Sequence, residues 1–152
     1  MTPVDLIEAV AAELEKATAH FKFIAENQPP KHVSVYRQMA PQDEFETDSF
    51  YPLVIVELLS LEDTSEGSLA SLLITTGTFH EERRADCWRD HLNLCEEIRE
   101  YMLAHRTIGK KFILQLPIQF GLVEQQTENF IYSNFFVQYF VAQPIPSVGW
   151  VR

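Results

Sequence analysis

The chain has 152 residues, 46% of them hydrophobic and 12% aromatic, enough for one domain whose core needs neither disulfide nor metal. Acidic residues outnumber basic ones 22 to 12, for a net charge of -10. That balance excludes unassisted binding to nucleic-acid phosphates and disfavours an anionic membrane surface, since both draw on Lys and Arg.

Thr2-Pro3-Val4-Asp5 opens a helix, with Thr2 as cap, Pro3 at the first helical position and Asp5 where the helix dipole favours an acid. Ile7, Val10, Ala11, Leu14, Ala17, Phe21 and Ile24 continue at helical spacing, and Gln28-Pro29-Pro30 bars continuation, so the helix is expected to end by about Ala25. Val33 to Tyr36 marks a short strand. An acidic irregular segment near 39–50 is expected to be a mobile loop. The near-continuous apolar run from Tyr51 to Leu59 reads as a central strand covered on both faces, Leu61 to Gly67 as a polar turn, and Leu69 to Phe79 as the next strand.

Arg84 to His105 is expected to be the second helix, with Trp88, Leu92, Cys95, Ile98 and Met102 as its apolar stripe. Phe112 to Leu116 forms a strand that Pro117 stops. The last strand, Phe130 to Val141, has apolar residues at both parities and is expected to bury both faces. The tail 143–152 is extended. Helices flanking runs of strands predict one α+β domain over 1–152, a mostly antiparallel sheet of four to five strands packed against two main helices.

Little in this chain has the pattern of a reactive site. Cys87, His91 and Cys95 share a helix face at i, i+4 and i+8, but the outer two are about 12 Å apart along the axis. That is too far for a disulfide or for one zinc ion to bind both. The three read as packing residues and free thiols, with no metal and no cofactor. A Gly-x-Ser-x-Gly elbow, a P-loop and a Gly-x-Gly-x-x-Gly run are all missing from the sequence. Glu81-Glu82 and Glu96-Glu97 point apart on a helix and read as solvated. No catalytic residue is assigned, and the chain is not expected to be an enzyme. The start, MTPVDLIEAV, has no basic region or long apolar run, so no signal peptide is expected. No apolar stretch reaches the roughly 18 residues of a membrane span. Arg83 and Arg84 oppose the dipole of the helix they precede, which suits them to a partner's acidic surface or to an ion pair with Glu81 or Glu82.

Thr76-Gly77-Thr78-Phe79-His80, then Ala85-Asp86-Cys87-Trp88-Arg89-Asp90-His91-Leu92-Asn93-Leu94, the helix end Ile98-Arg99-Glu100-Tyr101-Met102-Leu103, Lys111-Phe112-Ile113-Leu114-Gln115-Leu116-Pro117-Ile118 and the close at Gln143-Pro144 follow one another in an order that resembles the tail terminator (tail completion) proteins of long-tailed bacteriophages. The resemblance covers roughly residues 51–144 and rests on packing patterns. It implies a structural virion protein, made in the host cytoplasm, that forms a hexameric ring with itself on the head-proximal end of the tail tube. There it ends tube growth and meets the neck and head-completion proteins. On that reading Phe136, Tyr139 and Phe140, with Arg83 and Arg84, are candidates for partner and subunit contacts. The acidic loops bearing Asp43, Glu44, Glu46 and Asp48, and Glu62, Asp63 and Glu66, are candidates to line a lumen through which DNA slides without tight binding. Two alternatives remain at this point: another neck or head-completion protein, and a small ligand-binding or catalytic α+β domain, for which His80 with Glu81 and Glu82 is the first place to look.

Overall fold

The structure is a computed structural model of the chain and describes residues 2–23, 31–40, 51–80, 87–123 and 129–144. Helix α1 spans Pro3–Thr18. Its start is a capping box: the Thr2 hydroxyl accepts from the Asp5 N–H (3.2 Å) and the Asp5 carboxylate accepts from the Thr2 N–H (2.9 Å). Leu6, Ile7, Val10, Ala11, Leu14 and Ala17 form its buried face. The helix ends at Thr18, well before the expected limit near Ala25. The last turn closes on itself, with the Ala19 N–H returning to the Lys16 carbonyl and the Thr18 hydroxyl donating to the Leu14 carbonyl (2.8 Å). The chain then enters β1 (Lys22–Phe23), which pairs antiparallel with β2 (Lys31–His32) in a minimal ribbon not anticipated from the sequence.

The other strands are β3 (Ser34–Arg37), β4 (Leu53–Thr64), β5 (Gly67–Phe79), β6 (Thr107–Ile108), β7 (Phe112–Leu122) and β8 (Phe130–Val141). They form one six-stranded sheet in the order β3-β4-β5-β8-β7-β6. The α+β class holds. The four to five strands expected become six, and the sheet is mixed, since β3 runs parallel to β4 while every other pair is antiparallel. The turn between β4 and β5 shrinks to Ser65-Glu66, because the polar residues before it continue the strand as an exposed hairpin arm. Pro117 does not stop β7. It sits in an irregularity of register between Gln115 and Gln119, where no ladder bond requires its N–H.

Helix α2 spans Cys87–Ala104. Its buried positions are His91, Leu94, Cys95, Ile98 and Met102, whereas Trp88, expected in the stripe, is exposed under the Arg89 guanidinium (5.2 Å to the ring centre). Both helices pack on one face of the sheet, against Val54, Val56, Ala70, Leu72, Ile74, Phe112, Leu114, Phe135, Val137, Tyr139 and Val141. Tyr101 of α2 donates to the Glu13 carboxylate of α1 (2.6 Å), and Arg37 of β3 reaches Glu8 (3.1 Å) and Glu15, joining the layers at their rim. The expected loop near 39–50 lies, from residue 41 on, outside the described residues. So does the tail beyond Pro144.

Candidate functional site

Alternation along the strands separates the two sheet faces. In β8, Ser133, Phe135, Val137, Tyr139 and Val141 point to the helices and are buried. Tyr139 therefore packs in the core beneath the helices, 1% exposed. Asn134, Phe136, Gln138 and Phe140 point the other way, to a face that no helix covers among the described residues. The expectation that β8 buries both faces fails here.

Register aligns this open face into cross-strand rungs. Leu69 of β5, Phe140 of β8 and Ile113 of β7 make one apolar rung, and Leu73 with Phe136 makes another. Between them lies a polar rung of Ser71, Gln138 and Gln115, in which the Gln138 amide donates to the Ser71 hydroxyl (3.2 Å). Thr75 donates to Asn134 (3.1 Å) one step further on. At that end Tyr51, Leu53 and Ile55 pack with Tyr36, Phe79, Phe130 and Tyr132, and the Tyr51 and Tyr132 hydroxyls share a 2.6 Å hydrogen bond. The aromatic cluster closes one end of the face and leaves the two apolar rungs open.

Of the two phenylalanines, Phe140 is partly occupied. Its ring lies over Gly67, where an added Cβ would sit 2.1 Å from the ring, and the backbone there has φ +148°. Gly67→Ala is expected to destabilise the fold by about 1–3 kcal/mol, read from urea unfolding, because a methyl must displace the ring and also adopt an unfavourable φ. Phe136 has no such cover and is 47% exposed. On the neighbouring strand, the distal half of β7 exposes Leu116 (50%), Phe120 (41%) and Leu122 (54%), the last two on the helix side of the sheet, level with Phe135 and Ser133. Phe120 rests against Phe135 (4.8 Å between ring centres) at the margin of the helix-covered core.

The electrostatics of this corner differ from the rest of the chain. Residues 112–123 and 129–144 contain no Asp, Glu, Lys, Arg or His, in a chain of net charge -10. The absence of charge across two full strands is the sequence signal that would have identified β7. It is the strand whose Leu116, Phe120 and Leu122 were not singled out. Glu124 and Glu128, in the connection between β7 and β8, lie outside the described residues.

Among the other candidates, Glu62, Asp63 and Glu66 are exposed on the β4–β5 hairpin arm, with the Ser68 hydroxyl donating to Asp63 (2.5 Å). Asp43, Glu44, Glu46, Asp48, Arg83 and Arg84, together with Glu81 and Glu82, lie outside the described residues. His91 and Cys95 are in the core, within one chain of hydrogen bonds. His91 Nδ1 bonds the Thr78 hydroxyl (2.9 Å), His91 Nε2 bonds the Ser133 hydroxyl (2.9 Å), and Cys95 Sγ also bonds Ser133 (3.1 Å). His80 Nε2 meets the same Thr78 hydroxyl (3.2 Å). Burial, reinforced by His80, pushes the His91 imidazole down to about 4, and burial pushes the Cys95 thiol up to about 11. At neutral pH both are uncharged, which is the state of packing residues rather than of a thiolate nucleophile. Among the described residues no group of three or more His, Cys, Asp or Glu is placed to hold a metal, and no helix is long and apolar enough to cross a membrane.

The described residues form a small α+β fold with one sheet face covered by helices and the other partly bare and uncharged. No protein-family model matches the chain, and no curated protein matches it.

Proposed function

We propose that the chain is a structural subunit of the tail-terminator kind, which assembles with copies of itself into a ring that caps a phage tail tube. The observation that carries this reading is the bare, charge-free corner built by β7 and β8. Two bodies of charge -10 repel one another, and contact without that repulsion needs a surface from which charge is excluded. Phe136 on the open face, and Phe120 and Leu122 exposed on the other face of the neighbouring strand, supply aromatic and aliphatic area of the kind subunit contacts use. The virion is then the place of action. The tube protein and the neck or head-completion proteins are the partners on either side, and the work of the chain is mechanical rather than catalytic. In this arrangement the β4–β5 arm with Glu62, Asp63 and Glu66 borders the lumen and repels passing DNA. A ring with that arm on the outer rim would sink the placement.

The test is mass measurement and negative-stain imaging of concentrated protein, with and without magnesium, which screens the like charges that ring closure brings together. The expected result is a ring of about six subunits with an open centre, the closed symmetry that identical head-to-tail contacts generate. A monomer under every condition, including on isolated tail tubes, would end the reading.

A further inference from the structure

Among the described residues the sheet leaves two strand edges without a neighbour, and their positions are complementary. On one side, β3 covers β4 only at Leu53–Val56. Gln38 adds one further step, donating its N–H to the Val56 carbonyl (2.7 Å) and accepting from the Leu58 N–H (3.0 Å). From Leu59 to Thr64, β4 has β5 on its inner side and, among the described residues, no strand on its outer side. On the other side, β6 covers β7 only at Phe112–Ile113, and the Leu114 N–H reaches the Arg106 carbonyl (2.7 Å). From Gln119 to Leu122, β7 has β8 on its inner side and again no described strand outside, whereas Leu116–Ile118, with Pro117, fall in the irregularity of register. The Val123 N–H bonds inward to Tyr132, so strict alternation turns the backbone groups of Leu122 and Phe120 outward.

Open edges of this kind invite another strand, and most proteins block them with charge. The outer edge of β3 is blocked: the Arg37 guanidinium donates to the Val35 carbonyl (3.1 Å) and is held by Glu8 and Glu15. The β7 edge carries no charge at all, and the β4 edge carries it only at Glu62 and Asp63 near the tip. Each bare edge exposes apolar side chains, Leu59 and Leu61 on β4, and Leu116, Phe120 and Leu122 on β7.

The two edges also match in sense and position. Their regular parts cover residues 60–64 and 119–122. Because β4, β5, β8 and β7 alternate in direction, β7 of one copy laid beside β4 of another is antiparallel. The β7 edge is level with Ser133–Phe136 of β8. The β4 edge is level with Gly67–Ser71 of β5, and therefore with Gln138–Val141 of β8. The bare halves thus lie on opposite sides and at opposite ends of the sheet. A two-fold β7–β7 contact would leave the β4 edge bare in both partners.

We infer that the partner at this surface is a second copy of the chain, whose β4 edge pairs antiparallel with the β7 edge of the first, so that one sheet runs on into the next. The inference rests on the ring reading above and specifies its junction. The contact is head-to-tail, and each copy keeps one edge free for the next until the ring closes.

Thiol cross-linking tests it. Phe120→Cys and Leu61→Cys are made separately in a Cys87→Ser chain, where Cys95 is shielded by burial, and are mixed under assembling conditions with a short bis-maleimide. The expected result is a covalent dimer in the mixture, none in either variant alone, and a ladder of multimers from the double variant. Self-linking of Phe120→Cys would show a two-fold β7 contact and overturn the inference. Rings seen by imaging with no link in the mixture would overturn it too, while leaving the ring reading intact. Absence of any assembly in the parent chain would remove both. Leu122→Cys with Leu59→Cys repeats the experiment away from the Phe120–Phe135 ring contact, should Phe120→Cys fold poorly.

Discussion

Phe136→Asp is expected to leave the subunit folded and to abolish its assembly. The side chain lies on the open face opposite Leu73, with nearly half its surface in water. Losing the covered half of the ring and placing Asp in a strand should lower the unfolding free energy by about 1–2 kcal/mol, which leaves the chain folded. If the contact also covers the open face of β8, beyond the β7 edge itself, the effect on assembly is much larger. Covering an aromatic ring contributes about 1.5–3 kcal/mol, and a carboxylate in its place must be stripped of water with no charge of opposite sign on β7 or β8 to receive it. In a closed ring the loss recurs at every junction, so assembly disappears rather than weakens. Sedimentation of wild type and variant side by side measures it. Trp88→Asp, which alters an equally exposed ring on α2, should assemble normally. A Phe136→Asp chain that still forms rings would place the junction elsewhere.

Acid should unfold the chain through His91. The imidazole is wholly buried, and its folded value of about 4 lies below the ordinary 6.5. The unfolded chain therefore takes up a proton first. The stability that neutral His91 provides is complete above pH 6.5 and is lost as pH falls from there through 4. The difference corresponds to about 3 kcal/mol by pH 4. His80, also lowered by burial, acts in the same direction, with Asp90 partly opposing its shift, and Cys95 stays a neutral thiol throughout. His91→Gln should be less stable at pH 7, since it cannot reproduce both hydrogen bonds, yet should lose much less between pH 7 and 4, so that the two stability curves converge. The carboxylates with lowered values, Asp5 and Glu13, titrate in both chains and cancel in the comparison. Parallel curves from urea unfolding at stepped pH would show that His91 is not the titrating group.

The Cys87, His91 and Cys95 pattern shows how far spacing reaches. Helix geometry alone excludes one zinc ion bound by both cysteines, because the outer pair is too far apart along the axis. The burial of His91 is not legible in the same way. A histidine on an apolar face is tolerated at the centre of a core only if both ring nitrogens find partners, and these come from β5 and β8, distant in sequence. Pro117 makes a similar point. A proline ends a central strand but passes through an edge strand at a bulge, and whether a strand is at the edge depends on sheet order.

By itself the sequence determined what local rules govern. These include the capped start of α1, two amphipathic helices, the main strands, the α+β class and the strongly acidic net charge. It also carried, unread, the charge-free composition of β7 and β8. Only the tertiary structure decided which parity of β8 faces the helices, and so that Tyr139 is core while Phe136 is surface. It also decided that β3 joins in parallel and that β4 and β7 each run past their neighbours to leave an edge bare. The physical reason is that burial, strand pairing and edge exposure are relations between segments far apart in the chain. Hydrophobic periodicity records that a face is apolar, but not what, if anything, covers it.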